Sequence, residues 1–346
     1  MSVPGAFRAQ GRACARLGSP FMARLMAALA DLWDGESPLA RPWAGYAGDL
    51  GPAGASLPLR VAGGLHALHL SGRDPALSAV YPPAEPSEAA LRAAVADALT
   101  RHAGFLLEWT ARAPQTNEVR RAAVVAAAAR WLAARHPLPL ALSELGASGG
   151  LNLGLDRFAL EIGGRRYGPA DPVLTLAPAW EGPLPPEADV QVTERRGVDR
   201  MPLDVSTAEG RLRLLAYLWA DQPERLARTR AAIAADTAPV DAGDAADWLE
   251  AGRAAPRPGR LHLIFHTIAW QYFPQATQAR AAAAITRAAA AATRNAPLAW
   301  LAMEADGNAE GAALTLRLWP GDHALALGRA DFHGRWIRWE GPAHLP

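Results

Sequence analysis

The stretch LSELGASGGLNL, Leu142 to Leu153, decides how this chain is read. A short apolar run, Leu138–Leu145, carries Glu144 near its end and passes through Gly146, Ala147, Ser148, Gly149 and Gly150 into a segment containing Asn152. A glycine-rich turn between a strand and a helix lets a ligand approach the backbone and meet the free N–H groups of the helix start. Downstream, short apolar runs at Gln191–Val198, Pro239–Gly243, Leu261–His266 and Pro297–Glu304 alternate with helical segments at Ala208–Ala235, Ala245–Ala251 and Gln275–Thr293. Strand and helix in repetition predict a parallel sheet covered on both faces. The runs Ala313–Trp319 and His323–Asp331 flank Pro-Gly, and Arg335–Trp339 follows, which predicts antiparallel closing strands. Between Phe158 and Pro186 lies an insertion with a Gly163-Gly164 hairpin and a proline-rich loop.

Upstream of Leu138 no strand pattern competes with helices. Ala6–Leu17, Pro20–Trp33, Ser87–Arg112 and Asn117–Arg135 place Leu, Val, Phe and Trp at three- and four-residue intervals among alanines, and Leu59–Leu70 is read as helical too. Ser37–Pro58 and Arg73–Pro86 are rich in Gly and Pro, which stop helices. The expectation is a helical domain over residues 1–135 and an α/β domain over 136–346, with the insertion at 158–186.

Composition removes several chemistries. The chain has 346 residues, half of them hydrophobic and 20% charged, which fits about two globular domains. All 35 basic residues are arginine, so no Schiff-base, Walker or kinase lysine exists. Cys14 stands alone, which excludes an intrachain disulfide and a multi-cysteine metal site. A net charge of +1 supplies no general attraction to nucleic acid or acidic membranes. Arg8, Arg12, Arg16 and Arg24 interrupt any leader-like apolar stretch, and no membrane-length apolar run occurs. A cytoplasmic protein acting on a small molecule is expected; the sequence does not set its oligomeric state.

Acids stand at three successive strand ends. Glu144 closes the first, Asp199 in GVDRMP follows the second, and Asp244 with Ala245 in AGDAADWL follows the third. A carboxylate at such a place can accept hydrogen bonds from both hydroxyls of a ribose, and strand ends of a doubly wound sheet are where ligands bind. This order of motifs resembles the Rossmann-like S-adenosylmethionine-dependent methyltransferases: ELGASGG their first motif, GVDRMP the end of their second strand, AGDAADWL the acid beside adenine, and IFHTIAWQYFP their fourth-strand motif. The resemblance implies a seven-stranded, mostly parallel sheet with an antiparallel closing hairpin, S-adenosylmethionine as cofactor on Glu144, Gly146–Gly150, Asn152, Asp199, Asp244, Ala245 and His266, and methyl transfer to a small molecule. His266 would be the general base, with Trp270 and Gln271 beside it. GRACARLGSPFMARL, APQTNEVRRA, ERRGVDRMPLD, LLAYLWADQPERLAR and FHTIAWQYFP more closely resemble a bacterial family of unknown function, numbered 2332, over almost the whole chain.

Ser148 stands where the methyltransferase motif has its second glycine, and Glu144 lies 55 positions before Asp199, a separation the insertion would explain. The same departure motivates a non-catalytic protein that binds S-adenosylmethionine or another nucleotide in the same fold. Gly146–Gly150 also satisfies G-x-S-x-G, so a serine hydrolase with Ser148, Asp244 and His323 or His333 is a further alternative. His262 and His266 share a face of one strand, but no third metal ligand stands at a diagnostic spacing, and His262 is read as a core histidine. PQTNE, Pro114 to Glu118, either caps a helix or brings Gln115, Asn117 and Glu118 to the substrate pocket opposite His266 and Trp270. The latter requires the following helix to start near the carboxyl ends of the strands.

Overall fold

Apolar runs beyond Leu138 fold as strands, the central ones covered on both faces. The computed structural model describes residues 1–46, 48–51, 54–235 and 238–342, so residues 47, 52 and 53 of the Ser37–Pro58 stretch lie outside it. Its strands are β1 (Leu140–Leu145), β2 (Phe158–Ile162), β3 (Arg165–Tyr167), β4 (Leu174–Leu176), β5 (Ala179–Glu181), β6 (Val192–Asp199), β7 (Val240–Ala242), β8 (Leu261–Thr267), β9 (Leu298–Glu304), β10 (Ala312–Trp319), β11 (His323–Ala330) and β12 (Trp336–Trp339). β1 and β8 are buried throughout, which is why they read as unbroken apolar runs.

The main sheet runs β5-β12-β11-β10-β9-β8-β1-β6-β7 among the described residues, nine strands where seven were expected. Strands β9, β8, β1, β6 and β7 are parallel neighbours, and β10, β11 and β12 continue from β9 as antiparallel neighbours. The closing segment is a three-strand antiparallel meander at the three runs expected there, with the hairpin β10–β11 at its centre. Its outer edge is extended by β5, which pairs parallel to β12 where the Trp180 and Trp339 rings stack at 5.8 Å. The insertion forms a separate three-stranded sheet, β3-β2-β4, with the Gly163-Gly164 hairpin joining β2 to β3. From β1 the chain turns to one side for β6 and β7, then crosses to the other side for β8 and β9. The carboxyl ends of β1 and β8 thus flank the point where the strand order reverses, the place at which open parallel sheets leave a crevice.

The α-helices are α1 (Val3–Arg16), α2 (Pro20–Asp31), α3 (Ala40–Ala44), α4 (Leu57–Leu70), α5 (Pro75–Ser78), α6 (Glu88–Arg101), α7 (Ala103–Thr110), α8 (Ala122–Ala133), α9 (Ala208–Ala216), α10 (Pro223–Ala234), α11 (Ala245–Trp248) and α12 (Gln275–Ala289). The single helix expected over Ser87–Arg112 is two, α6 and α7, which meet at His102. Serine caps α1, α2 and α6 by accepting from backbone amides, which marks their starts in the sequence.

The chain divides into two compact units, one made of Met1–Thr116 and Asp204–Arg230, the other of Asn117–Leu203 and Ala231–Pro346. The division differs from a boundary at residue 135. Every residue of α8 is buried, and its alanine-rich surface lets it lie against β9 and the turn Leu151–Arg157, so it belongs with the sheet. The core of the first unit gathers Phe7, Leu25, Met26, Leu65 and Tyr81. The second unit has Leu145, Ile264, Ile285 and Trp319 in one of its clusters.

Candidate functional site

At the carboxyl end of β1 the backbone turns sharply three times. Gly146, Ser148 and Gly150 have φ of 72°, 53° and 71°, a region that favours glycine and makes Ser148 a strained exception. The turn is sewn to the end of β6: the amides of Gly146 and Ala147 donate to the Val198 carbonyl at 2.9 and 3.1 Å. Asp199 accepts from the Ser148 amide through Oδ2 and from the Met201 amide through Oδ1, both at 2.9 Å. Gly197 permits this closeness, since a Cβ there would lie 2.5 Å from that of Ala147. Gly146 and Gly150 likewise make room for protein: a Cβ on each would meet Ala269 Cβ at 2.6 Å and Val240 Cγ2 at 2.9 Å. Gly149 is buried within the same turn.

Beside the turn lies a carboxyl group with an oxygen to spare. Glu144 is 2% exposed; its Oε1 accepts a 3.4 Å hydrogen bond from Asn152 Nδ2, and its Oε2 meets no partner. Burial pushes this carboxyl up to about 8; Asn152 and Arg121 oppose the rise and Asp199 adds to it. Asn152 Oδ1 and Ser148 Oγ are also buried without partners. Asn117 Oδ1 accepts from the Leu151 amide at 2.9 Å, and Arg121 Nη1 donates to the Thr267 carbonyl at 3.1 Å. The segment leading into α8 therefore starts at the carboxyl ends of β1 and β8. Asn117 holds the glycine turn, whereas Glu118 caps the following turn of 3-10 helix by accepting from the Arg120 amide at 3.2 Å.

A second group closes the ends of β8 and β9. His266, 2% exposed, meets Glu304 Oε1 through Nδ1 at 2.8 Å, and its Nε2 receives the Trp300 indole N–H at 3.0 Å. An indole nitrogen only donates, so Nε2 carries the lone pair and Nδ1 the proton. Both ring nitrogens are thereby engaged, Nδ1 with Glu304 and Nε2 with Trp300. Glu304 Oε1 also accepts from the amides of Ala269 and Trp270 at 3.0 and 3.1 Å, while Oε2 is buried without a partner. This clamp holds Ile268 at a φ of 51°, a conformation costly for a β-branched residue. Trp270 stacks on His266 with centroids 4.7 Å apart and leans on Phe273, whereas Gln271 is exposed and stands outside the group.

Asp244 serves the fold. Its Oδ1 caps α11 through the amides of Ala246 and Asp247, and its Oδ2 accepts from Thr277 Oγ1 at 2.8 Å. Burial raises this carboxyl, but those hydrogen bonds outweigh it and hold it below the usual range. Ala245 is buried as the first residue of that helix. The hydrolase triad is not assembled, because Ser148 Oγ has no imidazole partner and Asp244 is bound to Thr277. His262 joins Ser143 Oγ at 2.8 Å and the Ala255 carbonyl at 2.9 Å, and burial pushes it down to about 4, as a neutral core histidine. No cluster of three or more His, Cys, Asp or Glu side chains suited to a metal occurs among the described residues. Glu304 and Arg121 were not singled out from the sequence; Glu304 gives the same signal as Glu144 and Asp199, an acid near the end of a parallel strand.

Fold and site together define a mixed α/β protein with a large, mostly parallel sheet and a polar cluster at its carboxyl edge. The chain belongs to the family described as "Uncharacterized protein conserved in bacteria (DUF2332)", whose model matches residues 5–339. Searches of curated proteins and of solved structures found no match. No described helix is long and apolar enough to cross a membrane.

Proposed function

We propose that the carboxyl edge of the sheet binds S-adenosylmethionine and that the protein transfers its methyl group to a small molecule. The observation that carries this is Glu144: a buried carboxyl beside a glycine turn, at the reversal of strand order, with one oxygen left for a donor. Asn152 Oδ1 and Ser148 Oγ add two more unpartnered groups. An ammonium and ribose hydroxyls are the donors that such acceptors call for. Glu144 and Asn152 would hold the ammonium end. Asp199, tied to the turn through the Ser148 amide at the end of β6, would stand at the ribose. When bound, S-adenosylmethionine supplies an electrophilic methyl group. The protein's part is positioning and exclusion of water, served by the turn tied to β6 and by the Glu304 clamp on Ile268–Trp270. With His266 committed to Glu304 and Trp300, the acceptor favoured is one whose lone pair is available at neutral pH, such as a carboxylate.

A non-catalytic binding protein is the second reading, favoured by the same commitment of His266. Incubation with methyl-labelled S-adenosylmethionine and a pool of small carboxylic acids, amines and phenols separates the two. Label moving onto an acceptor supports transfer. Cofactor binding without any movement of label supports the binding protein.

A further inference from the structure

The first unit contains a polar cluster of opposite character. Arg213 on α9 is only 9% exposed, yet its Nε and Nη1 meet no acceptor, and no carboxylate among the described residues pairs with it. Its guanidinium lies over the Trp109 ring, 4.4 Å from the centroid. The Trp109 ring is in turn 5.9 Å from that of Tyr217. The Trp109 indole N–H and the Tyr217 hydroxyl are buried beside each other, and neither meets any other partner. Burial pushes the Tyr217 hydroxyl up, so it keeps its proton and remains a donor. Arg60 stands close enough to Tyr217 to act on it, and the one acid of α9, Glu209, is turned to Arg112 at 3.6 Å.

Two glycines inside α4 form the floor. A Cβ on Gly63 would lie 2.5 Å from Tyr217 Cε1, and one on Gly64 would lie 3.2 Å from Trp109 Cδ1. Glycine is among the poorest residues for a helix interior, and here it lets both rings rest on the helix backbone. Tyr46, another neighbour of Tyr217, lines a cleft of about 560 Å³ with Trp43, Leu107 and Thr110, and no carboxylate among the described residues lines that cleft.

We infer that Arg213, Trp109 and Tyr217 bind the oxyanion of a small molecule, a carboxylate or a phosphate. A buried guanidinium without a counter-ion is unfavourable, and its planar fork matches such groups. The Tyr217 hydroxyl, with the Trp109 indole N–H behind it, supplies a further hydrogen bond of the same sense. The inference is independent of the sheet edge and of S-adenosylmethionine.

Calorimetric titration of the whole protein with acetate and, separately, with inorganic phosphate tests it, at ionic strength held constant with chloride. One-to-one saturable binding of either anion is expected, and the preferred anion identifies the group. Arg213→Met should abolish it. Tyr217→Phe keeps the ring on Gly63 and should weaken binding about tenfold, as loss of one hydrogen bond to a charged group does. Arg287→Met, an exposed arginine of the other unit, should leave it unchanged. Saturation by neither anion, or equal affinity in Tyr217→Phe and the unaltered protein, overturns the inference.

Discussion

Replacing Glu144 with glutamine should change how stability depends on pH, by an amount that follows from its burial. In the unfolded chain this carboxyl ionises near its ordinary 4.5, while in the fold burial holds the proton to about 8. Between those values the folded state binds the extra proton, so raising the pH favours unfolding by about 1.4 kcal/mol per pH unit. The contribution is fully present below pH 4.5 and lost by about pH 8, a total of about 5 kcal/mol at 1.36 kcal/mol per unit. Glu144→Gln keeps the shape and an amide to meet Asn152, and it removes the titration. Urea unfolding of both proteins, at a series of values from about pH 5 to about pH 9, gives the difference directly and cancels every other titrating group. The variant should gain on the unaltered protein steadily with pH and then level off. Parallel pH profiles for the two proteins would refute the reasoning, because they would mean that Glu144 ionises alike in both states.

Acid should act through the buried histidines. His66 and His262 are each pushed down to about 4 from 6.5, so stability is complete above pH 6.5 and falls as the pH drops through 4, by about 3 kcal/mol for each, and His262→Gln should lose its share in thermal melts followed by circular dichroism. Gly146→Ala should destabilise by at least about 1–2 kcal/mol in urea, because alanine resists a φ of 72° and its Cβ would meet Ala269 at 2.6 Å. Ser148, whose hydroxyl has no imidazole partner, should resist a fluorophosphonate probe, and Ser148→Ala should leave methyl transfer intact; labelling of Ser148 detected by mass spectrometry would restore the hydrolase.

The legible parts of the fold were those where sequence composition and burial coincide. β1 and β8 are covered on both faces and read as apolar runs; α2 and α6 start where the helical pattern starts, whereas α1 begins at Val3, three residues before the expected Ala6. β5 did not, because Ala179–Glu181 is a three-residue strand among prolines whose partner, β12, lies far along the chain. The strand-end acids were visible, but their tasks were not. Asp244 is taken by Thr277 and Asp199 by two backbone amides, and such pairings arise only when distant segments meet. The position of His266 was readable, whereas its partners Trp300 and Glu304 sit on the next strand, a pairing that the local sequence does not carry. Within PQTNE, Glu118 caps the short helix Val119–Arg121 and Asn117 accepts from the Leu151 amide, a contact with a segment 34 residues on that the motif alone does not show.

The central claim is that the buried, unpartnered oxygen of Glu144 belongs to a site for S-adenosylmethionine. Calorimetric titration of the purified protein with S-adenosylmethionine tests this most directly, with Glu144→Gln and Tyr217→Phe alongside. Saturable one-to-one binding is expected, weakened about tenfold or more in Glu144→Gln, as loss of a hydrogen bond to a charged ammonium does, and unchanged in Tyr217→Phe. No saturable heat up to millimolar cofactor, or full affinity in Glu144→Gln, would contradict it.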